Sequence, residues 1–323
     1  MIDKKKIKTW SLVGARATVG IYALELIKKK PELIILSSDV STSAGLDRFR
    51  KQHSNNYVEI GIAEQNLIGV AAGLASENLD VITTTFAPFQ TLRCCEQIKV
   101  NLSYMKQKVI MIGIASGLVQ GPLGYTHCCI EDIAILRSLP NITILSPCDS
   151  LETVKSIDAA LKNDQSTYIR ITGGVNNPIV YDEDYKFNIG EAVTLREGKE
   201  IAIIATGTMV YESLEASKVL NESGINPTVI NIHTIKPIDK NKIVEIIKTH
   251  KVIFTVEEHN IIGGLSSAVS EIIASNNVKC LQIPIGINDI YDKGGPYAFL
   301  KKKHGLIKDN IISKVKEATL KKI

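Results

Sequence analysis

Five side chains could take part in acid–base or aromatic-stacking chemistry, and each follows or ends a short apolar run. They are a glutamate in EIGIAEQN, an aspartate, two phenylalanines in TFAPF and a histidine in GYTH: Glu64, Asp39, Phe86, Phe89 and His127. A carboxyl beside an aromatic ring in a desolvated site is suited to sharing a proton. Each of these residues could instead have a purely structural role. Glu64 could simply cap a helix, and the two phenylalanines could simply pack in a core. The residues therefore need a fold that brings them together.

The first half of the chain alternates apolar runs with amphipathic runs. This pattern predicts strands over 33–39, 81–87, 108–116, 141–147 and 166–172, and helices over 63–77 and 149–163. Strands separated by helices indicate βαβ units and a mostly parallel sheet.

A polar, acidic stretch at 176–188 interrupts this pattern, which then starts again. Strands are predicted over 200–207, 227–237, 251–259 and 278–285, and helices over 210–223, 239–249 and 264–276. We predict two α/β domains, over 1–180 and 190–323, each a mostly parallel sheet flanked by helices. The basic tail from residue 301 is predicted to form an amphipathic surface helix.

Composition excludes several classes of protein. The chain has 323 residues, 45% of them hydrophobic and 22% charged, and a net charge of +4. This balance does not favour nucleic-acid binding, and no apolar run is long enough for a membrane span. There is no secretory signal, and the six cysteines have neither zinc-ligand nor disulfide spacing. We expect a cytoplasmic protein with reduced thiols, no metal ligands of its own, and no nucleic-acid or membrane partner.

Taken in order, the motifs resemble a known family. They are DV (39–40), GIAEQN (61–66), TFAPF (85–89), RCCEQIK (93–99), GYTH (124–127), ED (131–132), LRSLPN (136–141), SPCD (146–149) and VEEHNIIGGLSSAVSE (256–271). Together they look like the C-terminal half of transketolase. The spacing in FAPFQTLRCCEQIK is most similar to split transketolases, in which two genes encode the two halves.

The resemblance implies a pyrimidine-binding domain followed by the transketolase C-terminal domain, with thiamine diphosphate as cofactor. The family's GDG motif, which holds the diphosphate and Mg²⁺, is missing from this sequence. The resemblance therefore implies a separate N-terminal subunit carrying the diphosphate-binding domain, active sites between chains, and a 2+2 heterotetramer acting on small sugars. The implied reaction moves a two-carbon ketol, or related acyl, unit from a ketose or 2-oxo donor to an aldehyde. A 2-oxo acid dehydrogenase β-subunit and a deoxyxylulose-phosphate-synthase-like enzyme remain alternatives.

The resemblance also assigns roles to individual residues. Glu64 matches the carboxylate that hydrogen-bonds the aminopyrimidine, and His127 matches a histidine that moves protons near the substrate hydroxyls. The implied cofactor-binding set is Asp39, Gly61, Ile62, Glu64, Phe86 and Phe89. The implied substrate-binding set is Arg16, Ser43 and Arg170, because arginine suits a phosphate clamp. The C-terminal motif at 256–271 is expected to serve assembly, with no direct catalytic part.

Three positions depart from the family pattern. Leu123 replaces an aspartate that contacts a donor hydroxyl, Ala115 replaces a second histidine, and Cys128 replaces the glutamine after the TH pair. A site that loses hydrogen-bonding groups should change its preference among substrates. One hypothesis is therefore an altered donor or acceptor. The other is an ordinary pentose-phosphate transketolase that tolerates the substitutions.

Overall fold

The computed structural model describes residues 2–320. The chain opens with a helix that the sequence analysis did not predict, α1 (Lys4–Leu26), whose N-cap Asp3 accepts a hydrogen bond from the Lys5 amide. The helix is kinked at Gly14, which has a φ of 83°. Across residues 2–320, no helix has both the length and the apolar character needed to cross a membrane.

The first sheet is built by the N-terminal half of the chain. Its strands are β1 (Ile34–Ser37), β2 (Tyr57–Glu59), β3 (Val81–Phe86), β4 (Ile110–Ser116), β5 (Ile142–Leu145) and β6 (Ser166–Thr172). The helices are α2 (Asp47–Gln52), α3 (Glu64–Ser76), α4 (Ala87–Gln90), α5 (Cys95–Gln97), α6 (Asp132–Arg137) and α7 (Ser150–Lys162), with a π-helix at Ile98–Tyr104. The five strands and two helices predicted for this half are all present.

The second half provides another sheet and its helices. The strands are β7 (Val193–Arg196), β8 (Glu200–Ala205), β9 (Thr228–Asn231), β10 (Thr234–Lys236), β11 (His250–Asn260) and β12 (Leu281–Ile287). The helices are α8 (Met209–Glu222), α9 (Lys240–Thr249), α10 (Leu265–Ala274), α11 (Tyr297–Lys303) and α12 (Lys308–Leu320). The single tail helix that we predicted is instead two helices separated at Gly305, and its last residues, 321–323, lie outside the described residues.

The strand order confirms two mostly parallel sheets. One runs β10-β5-β6-β4-β3-β1-β2 and the other β12-β11-β8-β9-β7. Among these twelve described strands, only β10 with β5 and β7 with β9 pair antiparallel. The prediction of one strand over 227–237 was wrong, because the chain leaves the second sheet after Asn231 and adds β10 to the first. The alternation of apolar and polar residues continues through the bend, with Ile232 and Ile235 both buried, so the sequence pattern does not reveal it.

The two halves share one apolar core. A single cluster of buried side chains includes Leu67 and Ile144 of the first half together with Ile204, Ile253 and Leu265 of the second. Each Å² of apolar surface that is buried contributes about 25 cal/mol to the free energy of folding. The shared core therefore stabilises both halves of the chain together. The core fixes the carboxyl edge of the first sheet against the C-terminal half, and the candidate residues lie at that edge.

Candidate functional site

The candidate residues gather at the carboxyl ends of the parallel strands of the first sheet. Asp39 follows β1, Phe86 ends β3, and His127 lies in the long loop between β4 and α6. Glu64 is the first residue of α3, which follows β2. Loops at this edge of an open α/β sheet are the usual position of ligand sites.

Glu64 is buried and holds an ion pair that the sequence analysis missed. Its side chain is 4% exposed, and its Oε2 accepts a hydrogen bond of 2.7 Å from Arg93 Nη1. The Arg93 guanidinium carbon lies 3.9 Å from the ring centre of Phe89. A planar, nitrogen-bearing group is thus held between a carboxylate and an aromatic ring. The sequence does contain a signal for this contact. Arg93 lies four positions after Phe89, so its long side chain can fold back onto the phenylalanine ring.

The two phenylalanines and His127 form one aromatic cluster. The ring centres of Phe86 and Phe89 are 6.3 Å apart, and that of His127 lies 5.2 Å from Phe89, with edge-to-face geometry in both cases. Such pairs contribute about 0.5–1.5 kcal/mol beyond burial. His127 is half-buried, and its Nδ1 lies 3.0 Å from Thr126 Oγ1. The Nε2 atom is therefore the nitrogen available for chemistry.

Asp39 and Ser43 line an adjacent cleft of about 200 Å³, together with Arg50 and Glu59. Glu59 Oε1 accepts hydrogen bonds from the amides of Asp39 (2.8 Å) and Gly61 (3.0 Å), so it ties the loops after β1 and β2 together. Neither Glu59 nor Arg50 was among the candidates from sequence. The position of Glu59, at the end of a short strand two residues before Gly61, was the available signal.

Gly61 and Ile62 form the turn that leads into α3. Gly61 has a φ of 75°, a backbone conformation that other residues rarely adopt. Within residues 2–320, nothing lies within 4 Å of the position a Cβ would take there, so the backbone angle, and not lack of space, favours glycine. Ile62 is 77% exposed. An apolar side chain this exposed at the start of α3 is available to a ligand or to another chain.

The three predicted substrate-binding residues do not lie together. Arg16 follows the kink of α1 and is half-buried; burial lowers the pKa of its guanidinium, for which residues 2–320 supply no hydrogen-bonded or ionic partner. Ser43 is exposed on the loop after β1, and this loop packs on α1, because a Cβ on Gly20 would lie 1.9 Å from the Gly45 carbonyl oxygen. Arg16 and Ser43 thus belong to neighbouring segments.

Arg170 is placed elsewhere, against the sequence expectation. Its side chain is 2% exposed, and its Nε donates to both carboxylate oxygens of Asp132, at 2.8 and 3.1 Å. Its other nitrogens donate to Thr172 Oγ1 and to the carbonyl oxygens of Cys129 and Glu258. Every donor nitrogen of the guanidinium is engaged inside the chain. Arg170 therefore joins the two halves of the molecule and is not free to grip a sugar phosphate.

The three departures from the family pattern differ in exposure. Leu123 is 57% exposed on a short 3₁₀ turn of the loop that carries His127. Ala115 is buried near the end of β4 with a φ of 55°, and Cys128 is buried next to His127. Burial raises the pKa of the Cys128 thiol to about 11, so it stays protonated near neutral pH. Of the three, only Leu123 presents its side chain to solvent.

The comparisons with known proteins agree with this geometry. Residues 14–174 match the pyrimidine-binding domain of transketolase, and residues 190–311 match the transketolase C-terminal domain. The chain belongs to the transketolase family. This family consists of enzymes, and the motif-based resemblance to transketolase is confirmed. The matched ranges fall on either side of the acidic stretch at 176–188; the exact domain boundary stays a prediction.

Several transketolase relatives are separate half-subunits. The chain is 37% identical over 290 residues to a subunit of the apulose-4-phosphate transketolase of Actinobacillus succinogenes, covering 90% of this chain and 93% of the relative. It is 33% identical over 301 residues to a 6-deoxy-6-sulfo-D-fructose transketolase subunit of a Clostridium species, covering 93% and 92%. A solved structure described as "Split gene transketolase, inactive beta4 tetramer" superposes with a TM-score of 0.85 at 32% identity, covering 95% of this chain and 98% of the other.

One further relative has a different activity in its name. The chain is 31% identical over 313 residues to 1-deoxy-D-xylulose-5-phosphate synthase of Dictyoglomus thermophilum, covering 97% of this chain and 50% of that protein. This chain thus spans about half the length of the synthase. In the described part of the chain, from residue 2 to 320, no group of three or more His, Cys, Asp or Glu side chains is arranged to hold a metal ion.

Proposed function

We propose that this chain is the C-terminal half-subunit of a thiamine-diphosphate-dependent transketolase, with the diphosphate and Mg²⁺ held mainly by a separate N-terminal subunit. The reaction is transfer of a two-carbon ketol unit from a ketose, or a 2-oxo donor, to an aldehyde acceptor. The observation that carries the proposal is the buried Glu64 carboxylate at the sheet edge, which Arg93 links to the Phe89 ring of the Phe86–Phe89 pair. The relatives named as transketolase subunits support the two-chain arrangement.

The residues fit the aminopyrimidine ring of the cofactor. The Arg93 guanidinium shows that a flat group with N–H donors can lie against Phe89 and bond to Glu64 at the same time. Glu64 would hold the ring nitrogen, with Phe86 and Phe89 against the ring face and with Asp39, Gly61 and Ile62 around it. When bound, thiamine diphosphate supplies an electron sink for the carbanion that breaking the donor's C–C bond creates.

The remaining residues act on the substrate. His127 would give and take protons at hydroxyl or carbonyl oxygens through Nε2, since Nδ1 is already occupied by Thr126. Arg16 is a half-buried cation for which the described chain supplies no anion, so it suits a phosphate or another anionic group of the sugar. Ser43, on the neighbouring loop, would add a hydroxyl. Arg170 is left out of this set because its donors are taken.

We further propose that the donor or acceptor differs from the ordinary pentose phosphates. Leu123 offers a leucine side chain at an exposed point of the loop that carries His127, where the family pattern has an acceptor for a hydroxyl. A site that hydrogen-bonds a substrate hydroxyl rejects sugars that lack this hydroxyl, so loss of the acceptor should change the preference among sugars. The relatives named for apulose 4-phosphate and for a sulfo-sugar support a family in which sugar preference varies.

The first experiment mixes this chain with an N-terminal transketolase subunit, thiamine diphosphate and Mg²⁺. Two-carbon transfer from xylulose 5-phosphate to ribose 5-phosphate is measured, with each subunit alone as control. Turnover only in the mixture supports both the split enzyme and ordinary substrates. A cofactor-loaded 2+2 complex that is inactive on these sugars would support the altered preference, and one that consumes pyruvate with glyceraldehyde 3-phosphate would indicate the synthase-like alternative.

Glu64→Gln keeps the size of the side chain and removes its ionisable group. We expect turnover to fall by at least about 10²-fold, the usual contribution of a positioned acid or base. Glu77→Gln, at the exposed end of the same helix, is the matched control and should keep full activity. Equal activity of the two variants would refute the role of Glu64.

A further inference from the structure

The segment from β4 to α6, residues 117–131, carries both His127 and Leu123, and we call it the His127 loop. Inside its own half of the chain it has little regular structure. Gly117 and Cys129 form one isolated antiparallel bridge, with N···O distances of 2.8 and 2.9 Å, and the His127 amide donates to the Gly124 carbonyl. Short turns within the loop add backbone hydrogen bonds from the amides of Gly121, Leu123, Gly124 and Cys128. These turns set the local shape of the loop, whereas contacts with other elements set its position relative to the sheet edge.

Backbone hydrogen bonds from the C-terminal half supply part of that support. The Gly295 amide donates to the Gly121 carbonyl oxygen at 2.9 Å, and the Asn260 amide donates to the Ile130 carbonyl oxygen at 2.9 Å. Glu258 Oε1 accepts from the Leu118 amide at 2.8 Å. The beginning, the middle and the end of the His127 loop are therefore each attached to the second half of the chain.

Side chains add two aromatic contacts in the middle of the loop. Tyr125 Oη lies 3.0 Å from His304 Nε2, and the Tyr125 and Tyr291 ring centres are 5.4 Å apart. Tyr291 Oη also donates to Glu131 Oε1 at 2.7 Å. Tyr291 is 70% exposed, so its packing contributes little to the core. Its contacts are instead with Tyr125, two residues before His127, and with the end of the loop.

Gly294 packs closely against the backbone of the His127 loop, and this packing leaves no room for a side chain at position 294. A Cβ on Gly294 would lie 2.7 Å from the Gly121 carbonyl oxygen and 3.3 Å from Gly124 Cα. Both neighbours are backbone atoms of the His127 loop, so they cannot move aside as a side chain could. Because Gly294 has no side chain, its backbone can lie against the backbone of Gly124, which is three residues before His127.

We propose that the C-terminal residues 291–304 act as a positioning clasp for the His127 loop, so that the second half of the chain sets the place of His127 at the substrate. This inference rests on the proposed function, and it departs from the expectation that the C-terminal domain serves assembly alone. Tyr291, Gly294 and His304 are positioning residues, because they act through the loop.

The test uses the assembled two-subunit enzyme with Tyr291→Ala and Gly294→Ala. Each variant should lower kcat or raise the sugar KM by about tenfold, the effect of a small misplacement of a catalytic group. Affinity for thiamine diphosphate, measured by calorimetry, and the mass of the complex should stay unchanged. Tyr291→Phe keeps the ring and loses only the bond to Glu131, so it should recover most of the activity. Ile290→Ala, a half-exposed neighbour, is the matched control and should behave as wild type.

Unchanged kcat and KM in both clasp variants would overturn the proposal, and so would a loss of cofactor affinity in step with activity. Hydrogen–deuterium exchange of residues 117–131 gives a readout that needs no substrate. Exchange in this segment should rise in Gly294→Ala and not in Ile290→Ala, even if the wild-type complex proves inactive on every sugar tried. Failure of the proposed function and failure of the clasp are thereby distinguished.

Discussion

At the scale of single residues, Arg93 and the proposed cofactor require the same two partners. The guanidinium occupies Glu64 Oε2 and the face of Phe89, which are the groups assigned to the aminopyrimidine. Binding must therefore displace a partly exposed ion pair worth about 0.2–1 kcal/mol and a cation–π contact worth about 0.5–1 kcal/mol. We expect Arg93→Met to bind thiamine diphosphate about three- to thirtyfold more tightly. Calorimetry on the assembled complex measures this, with Lys99→Met as control; weaker binding would mean that Arg93 helps to hold the cofactor.

The buried pair of Arg170 with Asp132 predicts a different kind of change. Removing the cation leaves Asp132 buried and without its main ionic partner, which costs about 3–5 kcal/mol. Arg170→Met should therefore lower the free energy of unfolding by that amount, as measured by denaturant titration. Arg16→Met, which removes a cation with no such partner within residues 2–320, should instead raise the sugar KM at nearly unchanged stability. If Arg170→Met instead raised the sugar KM at unchanged stability, and Arg16→Met lowered the stability, Arg170 would belong to the substrate site.

At the scale of elements, local patterns predicted the strands and helices that build the sheet edge, but not how the halves join. The spacing of apolar residues was sufficient to predict α7, in which Asp149 proves to be the N-cap, and to place the start of α3 to within one residue. The change of sheet between β9 and β10 has no clear local signal, because buried isoleucines alternate with polar residues through both strands and the segment that joins them. The Arg93–Glu64 pair and the clasp at 291–304 likewise depend on distant contacts. Spacing along the chain cannot reveal such contacts without the fold.

The segment between β9 and β10 also contains a histidine whose burial affects stability. His233 stacks on Phe187, and burial lowers its pKa from 6.5 to about 4, with Asp239 opposing the shift. The unfolded chain then binds a proton that the native chain does not, so His233 lowers stability as pH falls from 6.5 to 4. Burial raises the pKa of Glu152 and of Glu257 to about 7, which works in the opposite direction.

Comparison with His233→Gln isolates the contribution of the histidine from those of the two glutamates. The unfolding free energy of wild type minus that of the variant should rise by about 3 kcal/mol between pH 4 and 6.5. Urea titrations at four or five pH values across this range measure the difference. Parallel pH profiles for the two proteins would show that His233 titrates alike in the folded and unfolded chain.

At the scale of the whole molecule, the two halves are distinct in sequence pattern yet joined in structure. The second half completes the first sheet with β10, contributes to the shared core, accepts two hydrogen bonds from Arg170 and Leu118, and holds the His127 loop. The proposed active site lies on the first half but depends on the second for its shape. The proposed assembly with an N-terminal subunit would benefit from such a rigid edge, because less conformational freedom is lost when two preformed surfaces associate.

This dependence predicts that the first half cannot stand alone. A fragment of residues 1–186 lacks β10, so β5 (Ile142–Leu145) becomes an unprotected edge beside exposed apolar side chains. Such edges promote association between chains. We expect the fragment to aggregate when expressed alone, and to become soluble and monodisperse in size-exclusion chromatography when residues 187–323 are co-expressed with it. A monodisperse fragment 1–186 that by itself keeps the near-ultraviolet circular dichroism band of Trp10, the single tryptophan, would show that β10 and the shared core are dispensable for the first sheet.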